Sequence, residues 1–410
     1  MNDDTTSSVI AWSRSGESQD IINSINFENR AELQLKLQEL MNRSHPQFKF
    51  ISDWVLGLYK LKQKVPYFWE NRFLATKLSV EQCSRWEAAV AKSADLFGKR
   101  CLDLTAGLGV DSFAFSKNFE QVIAIEENIL LHQFQNANFS KVGCKNIQPI
   151  LSTAEDFLAA QKSASKLDLV YIDPSRRDFA SGKRTFLLQD ISPNIFSLIP
   201  YLQNITNSVL IKLSPLFDIS EAVKNIPFLS KIQVFSWEGE CKELLAMLDF
   251  LGKSSPIVCA KVMSHDQQFE YEENRKLPEI PILLKGGFLY LVDAAVRKSG
   301  LFKEVFWEHF DVSSGATHRQ SGIFISNNNL IKFPGKSYHI IDMFPFQKRT
   351  LKQFIQSNSF RNHYTLISSF YPYPIDFIKK ELHLLDSNKY FLLLTETVSG
   401  AVIYVLHKHN

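Results

Sequence analysis

The chain has 410 residues, of which 45% are hydrophobic and 22% charged, with a formal net charge of +3. These proportions are typical of globular proteins and exclude a collagenous, low-complexity or largely disordered chain. Domains usually have about 100–200 residues, so the length predicts two to four of them. The net charge is too small for a histone-like polycation, and any contact with nucleic acid would depend on local basic clusters.

Cysteine usage and hydropathy predict a cytoplasmic protein without membrane contact. The five cysteines are scattered, with no CxxC pair, which favours a reducing compartment. The first residues, MNDDTTSSVI, are acidic and polar where a signal peptide would be basic and then apolar, and we find no run of about 18 apolar residues. The ten histidines lack HExxH or another close ligand spacing, so we expect no metal site.

Residues 1–98 are predicted to form an N-terminal helical region. In SVEQCSRWEAAVAKSADLFG, Ser79 and Gln82 fit a capping box, and Gly98 is the predicted end of the helix. Its predicted buried face contains Trp86, Ala89, Val90, Ser93, Ala94 and Phe97. Upstream, NRAELQLKLQELMNR and SDWVLGLYKLKQKV have similar periodicity, and Pro66 interrupts the pattern.

From residue 99 to 264, short apolar runs alternate with helical stretches. The runs are RCLDLTAG, QVIAIEEN, NIQPIL, LDLVYIDP, SVLIKLSP, KIQVFSWEG and IVCAKVM. Strand candidates separated by helices predict an α/β fold with a largely parallel, doubly wound sheet. The following stretch, SHDQQFEYEENRKLPEIP, is charged and lacks periodicity, so we interpret it as a linker or exposed loop at a domain boundary.

The remaining residues are predicted to form a small α+β region. GGFLYLVDAAVRKSGLFKEVF is typical of a strand followed by a helix, and KYFLLLTETVSGAVIYVLHK of a hairpin turned by Ser399 and Gly400. We assign 265–330 to the linker with a small ferredoxin-like segment, and 331–410 to a separate domain.

The turn after the first strand has the pattern of an adenosine site. In LDLTAGLGVD, Asp103 ends the strand, and Gly107 and Gly109 would allow the backbone to turn tightly against a ligand. Asp111 is placed to cap the next helix. Glu126, seventeen residues after Gly109, ends the second strand, where a carboxylate can accept both ribose hydroxyl hydrogens. A GxG turn alone would also fit any α/β protein.

The order DxxxGxG, Glu126 and DLVYIDP matches the motifs of class I S-adenosylmethionine-dependent methyltransferases. NAD-binding proteins share the layout, but the third glycine of their GxGxxG packs the helix under a pyrophosphate, and Ser112 occupies that position here. A methyl donor without phosphates needs no such glycine. The sequence therefore favours S-adenosylmethionine as the cofactor.

A closer resemblance covers roughly residues 75 to 405. The segments DLTAGLGVDSFAFS, YIDPSRR, IKLSP, ECKELL and DAAVRKSG, with FPGK and RNHYTL, are similar to a bacterial methyltransferase family that carries a THUMP-like C-terminal domain. The resemblance implies a Rossmann-like seven-stranded methyltransferase sheet at 99–264, a THUMP-like domain at 331–410, and methylation of RNA. We expect tRNA or rRNA as the substrate. The resemblance also implies that Asp103, near the methionine end, Gly107, Gly109 and Glu126, on the ribose, hold the donor. We add Thr105 and Asp111 to the predicted donor-binding residues.

One position departs from the usual donor site. The acid that accepts from the adenine amino group is expected after the third strand, where the matching residue in LSTAEDF is Thr153. The amide of Ala154 would then meet the ring. Glu155 and Asp156 are substitutes if the register shifts, although acids are common in the first turn of any helix.

The segment VYIDPSRRD follows the fourth strand, whose carboxyl end opens onto the ligand crevice of an open α/β sheet. Many methyltransferases that modify exocyclic amines have D/N-P-P-Y/F here. Asp173 and Pro174 are kept as the predicted catalytic pair, whereas Ser175 and Arg176 replace the second proline and the aromatic residue. The predicted substrate-binding residues are Ser175, Arg176, Arg177 and Lys212. The two arginines are included because a guanidinium can lie against a base or bind a phosphate.

Alternatives remain for several of these side chains. Arg177 can instead pair with Asp178 while Lys183 and Arg184 face water. Cys241 in EGECKELL, at a predicted helix start, is the candidate for a covalent route, although buried packing is its favoured role. Predicted phosphate contacts in the C-terminal region are Lys332, Lys336, Lys348, Arg349 and Lys352.

The leading hypothesis is a methyltransferase that modifies a base in structured RNA by direct displacement. The alternatives are a non-catalytic RNA-binding scaffold with the same fold, and a methyltransferase for a protein or small molecule. The sequence does not assign the nucleotide, the methylated atom or the oligomeric state.

Overall fold

The structure is a computed structural model that describes residues 9–42, 47–161, 166–176, 191–252, 255–357 and 362–408. Two compact units divide the chain, the first formed by Met1–Ser230 with Leu245–Ser255 and the second by Lys231–Leu244 with Pro256–Asn410. The four-part domain division expected from the sequence stays a prediction.

Helices fill the described part of the chain before the first strand. They are α1 (Gly16–Asn23), α2 (Arg30–Asn42), α3 (Phe48–Lys64), α4 (Pro66–Glu70), α5 (Lys77–Gln82) and α6 (Trp86–Ser93). Trp54 and Phe68 of these helices are buried in the same core as Phe113 and Phe134, which lie among the strands and helices that follow. The N-terminal helices therefore pack on the first sheet and share its core.

The single helix predicted from Ser79 to Gly98 is wrong, because α5 ends at Gln82 and α6 begins at Trp86. Cys83 and Arg85 have extended backbones between the two helices. Ser79 does belong to a capping box, but Thr76 is its N-cap: Thr76 Oγ1 accepts from the Ser79 amide, and Ser79 Oγ accepts from the Thr76 amide, both at 3.0 Å.

The predicted buried face of this segment is also partly wrong. Val90 and Phe97 are exposed, at 40% and 79%, whereas the side chain of Lys92 is buried. Lys92 can occupy an interior position because it has polar partners there, and hydrophobic periodicity does not reveal such partners.

The first unit is built on a parallel sheet. Its strands are β1 (Gly98–Asp103), β2 (Phe119–Glu126), β3 (Ile147–Leu151), β4 (Leu169–Ile172) and, after the short antiparallel pair β5 (Ser175–Arg176) and β6 (Ile191–Ser192), β7 (Ser208–Leu213). The parallel order is β7, β4, β1, β2, β3. The helices that alternate with the strands are α7 (Val110–Phe115), α8 (Ile129–Lys141), α9 (Ala154–Ala160), α10 (Ile195–Ile205) and α11 (Ile219–Asn225).

Two strands of the next segment were not predicted. After β8 (Leu229–Trp237), the ECKELL segment lies in β9 (Glu240–Asp249), so the helix expected to start at Cys241 is wrong. Positive φ at Glu238 and Gly239 gives a two-residue turn of the hairpin type. The expected linker contains β11 (Gln268–Glu272), which pairs antiparallel with β10 (Ile257–Met263), and β10 pairs parallel with β8.

A second, mixed sheet follows in the second unit. Its strands are β12 (Phe288–Val292), β13 (Gly315–Ala316), β14 (Ile323–Ser326), β15 (Gly335–Pro345), β16 (Thr365–Ser368), β17 (Tyr390–Thr397) and β18 (Gly400–Lys408), in the order β13, β14, β12, β15, β18, β17, β16. Its helices are α12 (Ala294–Ser299), α13 (Phe302–His309), α14 (Lys348–Ser357) and α15 (Asp376–Glu381).

The second sheet tests two local predictions. The predicted hairpin of β17 and β18 is confirmed, but its turn is Val398 and Ser399, because Gly400 already pairs with Thr397. The helix predicted after β12 is two helices, since Gly300 ends α12 with a φ of +76°.

The turn from β1 into α7 needs glycine at position 109 for two reasons. Gly109 is the N-cap of α7 with a φ of +84°, and a Cβ there would lie 2.6 Å from Cζ of Phe139. Gly143, at the end of α8, also has a positive φ, +66°, but the space around its Cβ position is open. Both positions favour glycine by conformation, and only Gly109 also needs the space.

We expect Gly109→Ala to lower the free energy of unfolding more than Gly143→Ala does. Alanine at position 143 should cost about 1–2 kcal/mol for the left-handed backbone alone. Alanine at position 109 should cost more, because Phe139 must also move. Urea unfolding of the two variants measures the difference, and equal losses would contradict the packing argument.

Candidate functional site

The carboxyl ends of the parallel strands bring the predicted site residues to one edge of the first sheet. Asp103 ends β1, Glu126 ends β2, Asp173 follows β4 directly, and Lys212 lies at the end of β7. Parallel strands direct their carboxyl ends to the same edge, which is where ligands bind in open α/β sheets.

Asp103 is fully buried at this edge. Its Oδ1 accepts from the Thr105 amide at 3.0 Å, and its Oδ2 accepts from Ser112 Oγ at 2.5 Å. Burial raises the pKa of Asp103 to about 7, although both hydrogen bonds oppose that shift. The carboxyl is therefore near the midpoint of its titration at neutral pH. In the sequence Ser112 stands only in place of a third glycine, and its hydrogen bond to Asp103 was not predicted.

Two side chains bind the backbone of Gly107. Its amide donates to Glu126 Oε2 at 2.7 Å, and its carbonyl accepts from Gln135 Nε2 at 2.7 Å. The other Glu126 oxygen accepts from the Asn128 amide at 2.7 Å. Burial raises the pKa of Glu126, while these backbone amides oppose that shift. Gln135 was missed because a glutamine within a helix carries no sequence signal for this contact.

The remaining predicted donor residues lie in the adjoining loops. Thr105 Oγ1 accepts from the Asp173 amide at 2.7 Å, which ties the loop after β1 to the loop after β4. Thr153 is the N-cap of α9, and its Oγ1 accepts from the Asp156 amide at 3.1 Å. Ala154, the first residue of α9, is buried. The adenine contact assigned to Thr153 and Ala154 stays a prediction.

Asp111 does not cap α7, so that part of the sequence interpretation is wrong. Gly109 is the N-cap and α7 has no side-chain cap. The Asp111 carboxylate instead accepts from Lys92 Nζ at 2.9 Å, Ser84 Oγ at 2.8 Å and the Tyr171 hydroxyl at 3.0 Å. Burial alone would raise the pKa of Asp111, but the nearby ammonium groups bring it below the ordinary value.

Lys212 lies beside Asp173, the predicted catalytic acid. Its Nζ is 2.6 Å from Asp173 Oδ2 and 3.3 Å from Ser84 Oγ, and both ionic side chains are largely buried. The sequence predicted Lys212 as a substrate contact, and the structure pairs it with the acid. Ser84 and Lys92 come from the N-terminal helical region and were not predicted to reach this site.

The predicted acceptor loop is described only in part. Pro174 is half-buried, and Ser175 is exposed, with its Oγ 3.4 Å from the carbonyl oxygen of Ser192 in β6. Arg176 continues β5 by its backbone. The predictions for Arg177, Asp178, Lys183 and Arg184 lie outside the described residues.

Cys241 lies in β9 in the second unit, and burial raises its pKa to about 11. A thiolate is therefore disfavoured at this position, which supports the packing role over a covalent one.

The predicted basic contacts of the C-terminal region belong to the second unit. Lys332 and Lys336 are exposed. Lys348, whose Nζ is 3.1 Å from Glu381 Oε2, lines a cavity of about 260 Å³ together with Arg349 and Lys352.

The described residues contain neither a group of metal ligands nor a helix that could span a membrane. In that part of the chain, no three His, Cys, Asp or Glu side chains converge as metal ligands would. None of its helices is both long and apolar enough to pass through a bilayer.

Comparisons with known proteins concern mainly the fold. The family model for Conserved hypothetical protein 95 matches residues 88–187. The crystal structure of a candidate methyltransferase from Porphyromonas gingivalis W83 is similar over 100% of both chains, with a TM-score of 0.78 and 21% identity. This chain has the same fold as that protein.

Two further solved structures match only part of the chain. The candidate methyltransferase yhhF from Escherichia coli is 21% identical over 41% of this chain and 88% of its own, with a TM-score of 0.30. A candidate methyltransferase from Streptococcus mutans, in complex with SAH, is 13% identical over 40% and 96%, with a TM-score of 0.29. None of the curated proteins compared with the chain matches it.

The pKa of Asp103 predicts a pH-dependent stability. Between its ordinary value of 3.8 and its folded value of about 7, the folded protein binds a proton that the unfolded chain has released. This group therefore lowers the free energy of unfolding as pH rises through that window, by at most about 1.4 kcal/mol per pH unit.

Asp103→Asn should remove this pH dependence. We expect the variant to gain stability relative to the native protein as pH rises from about 4 to about 7, with no further change above that. Urea unfolding across the window measures the difference, and Glu120→Gln, at an exposed position of β2, controls for loss of a surface carboxylate. A constant difference between Asp103→Asn and the native protein would contradict the raised pKa.

Proposed function

We propose that the chain is an S-adenosylmethionine-dependent methyltransferase that modifies a base in structured RNA by direct displacement. The proposal includes a Rossmann-like methyltransferase fold and a THUMP-like C-terminal domain. The observation that carries it is the edge of the first sheet where Asp103, Glu126 and Asp173 lie beside the Gly107 turn. The likeness of the whole chain to a candidate methyltransferase supports the fold.

The side chains at this edge fit the donor. Each Glu126 oxygen accepts a backbone amide, from Gly107 or from Asn128, and a carboxylate oxygen has a further lone pair that can accept a ribose hydroxyl. The Asp103 carboxyl would be ionised by a cationic group placed beside it. Thr105, Gly107, Gly109, Asp111, Thr153 and Ala154 complete the proposed donor site. S-adenosylmethionine supplies a methyl group on a positively charged sulfur, which is a good leaving group.

The acceptor side of the site depends on Asp173. Lys212 holds Oδ2 of this carboxylate, and among the described residues no hydrogen bond to Oδ1 is found. We assign Oδ1 the role of orienting a hydrogen of the acceptor base, with Pro174 fixing the loop. Direct displacement requires alignment above all, and positioning supplies about 7–11 kcal/mol in favourable cases. Ser175, Arg176, Arg177 and Lys212 form the proposed substrate-binding set, and arginines favour a nucleic acid.

Calorimetry with S-adenosylmethionine tests the donor site. We expect Glu126→Gln to weaken binding by about tenfold or more, a loss of about 1.4 kcal/mol, because it removes a charged acceptor from the ribose. Glu120→Gln, at the other end of the same strand, should bind like the native protein. If the native protein binds no donor, the non-catalytic scaffold is favoured instead.

Transfer of a labelled methyl group to RNA from cells that lack the gene tests the reaction. We expect Asp173→Ala to lower the rate by about 100-fold, since the acceptor base loses its orienting group. Full activity of that variant would remove Asp173 from the mechanism. Methylation of protein or of small molecules in place of RNA would favour the third hypothesis.

A further inference from the structure

A buried polar cluster connects the N-terminal helices to the candidate active site. It consists of Ser84, Lys92, Asp111 and Tyr171, and we call it the Lys92 cluster. Lys92 Nζ donates to Asp111 Oδ1 and to the Tyr171 hydroxyl, each at 2.9 Å, and lies 3.3 Å from Ser84 Oγ. The Lys92 side chain is 0% exposed, so these partners replace all of its water.

Ser84 joins this cluster to Asp173. Its hydroxyl donates to Asp111 Oδ2 at 2.8 Å and accepts from Lys212 Nζ at 3.3 Å. Lys212 in turn donates to Asp173 Oδ2 at 2.6 Å. Hydrogen bonds therefore run from Lys92 through Asp111, Ser84 and Lys212 to the carboxylate that we assign to the acceptor side.

The position of Ser84 depends on the break between α5 and α6. If α5 and α6 formed one continuous helix, the backbone of this segment would keep its helical hydrogen bonds. Cys83 and Arg85 instead have extended backbones, and the hydroxyl of the residue between them points into the cluster. The helix is thus interrupted at Ser84, the residue that contacts both Asp111 and Lys212.

The charges of the network argue against a purely structural role. Lys92 and Asp111 are withdrawn from water here, and Lys212 and Asp173 are partly so, with side chains 16% and 28% exposed. Desolvating ionic groups often costs more than their attraction returns. Apolar side chains of similar volume would fill such an interior at equal or better stability. Buried ionic networks do, however, fix the orientation of their members, which is what the acceptor carboxylate requires.

We propose that Ser84 and Lys92 are positioning residues of the methyl-transfer site. Lys92 orients Asp111, Asp111 orients the Ser84 hydroxyl, and Ser84 directs the Lys212 ammonium onto Asp173 Oδ2. This inference rests on the proposed function and assigns the N-terminal helical region a part in it.

The test is Ser84→Ala, compared with Ser84→Thr and Ser93→Ala. Threonine keeps the hydroxyl at position 84. Ser93 is a buried serine of α6 whose hydroxyl contacts the Val90 carbonyl, so its removal matches the loss of a buried hydroxyl outside the network. The measurement is labelled methyl transfer from S-adenosylmethionine to RNA from cells lacking the gene, with thermal melting of each variant.

For Ser84→Ala we expect kcat to fall by about 10- to 100-fold at an unchanged KM for the donor, because the acceptor group is misplaced while Asp111 keeps its hydrogen bonds from Lys92 and Tyr171. Ser84→Thr should recover most of the rate, and Ser93→Ala should behave like the native protein.

Two results would overturn the inference alone: a native rate in Ser84→Ala, or a loss of rate that Ser93→Ala shares. If the native protein transfers no methyl group, the proposed function fails, and the positioning role fails with it.

Discussion

The parallel pairing of β1 with β2 on one side and β4 on the other is the constraint on which the candidate site depends. In that register Asp103 lies opposite Ala124 and opposite Tyr171, two residues before Asp173. A shift of one residue in either pairing would turn every side chain of that strand to the other face. The positions of the site residues therefore depend on this register. Burial of the side chains of these strands fixes the register.

Much of this sheet could be predicted from the sequence because most of its strands contain unbroken runs of buried, mainly apolar residues. All seven predicted runs contain strands, and the glycine turn with its flanking acids lies where the pattern indicated. β11 was missed because Tyr271 is its one buried residue, so its charged composition is that of a loop. β9 was missed because an acidic and apolar segment such as ECKELL is equally compatible with a helix, and only the turn before it indicates a hairpin.

The contacts that complete the site could not be predicted, for a different reason. Gln135 reaches Gly107 across 28 positions, and Ser84 reaches Lys212 across 128. Such partners meet only through the tertiary fold and have no spacing to recognise. Lys92 was also hidden because a lysine between Ala91 and Ser93 indicates an exposed position, and its burial is tolerable because it has polar partners, Asp111 among them.

The protonation of Asp103 has a consequence for whatever occupies this edge. With a pKa of about 7, the buried carboxyl holds its proton in a large share of molecules at neutral pH. A positively charged ligand group beside this carboxyl would favour its ionised form, so the proton would leave as the ligand binds. Ligand binding at this edge then becomes an exchange of one positive charge for another, and a low pH competes with the ligand for the same carboxylate.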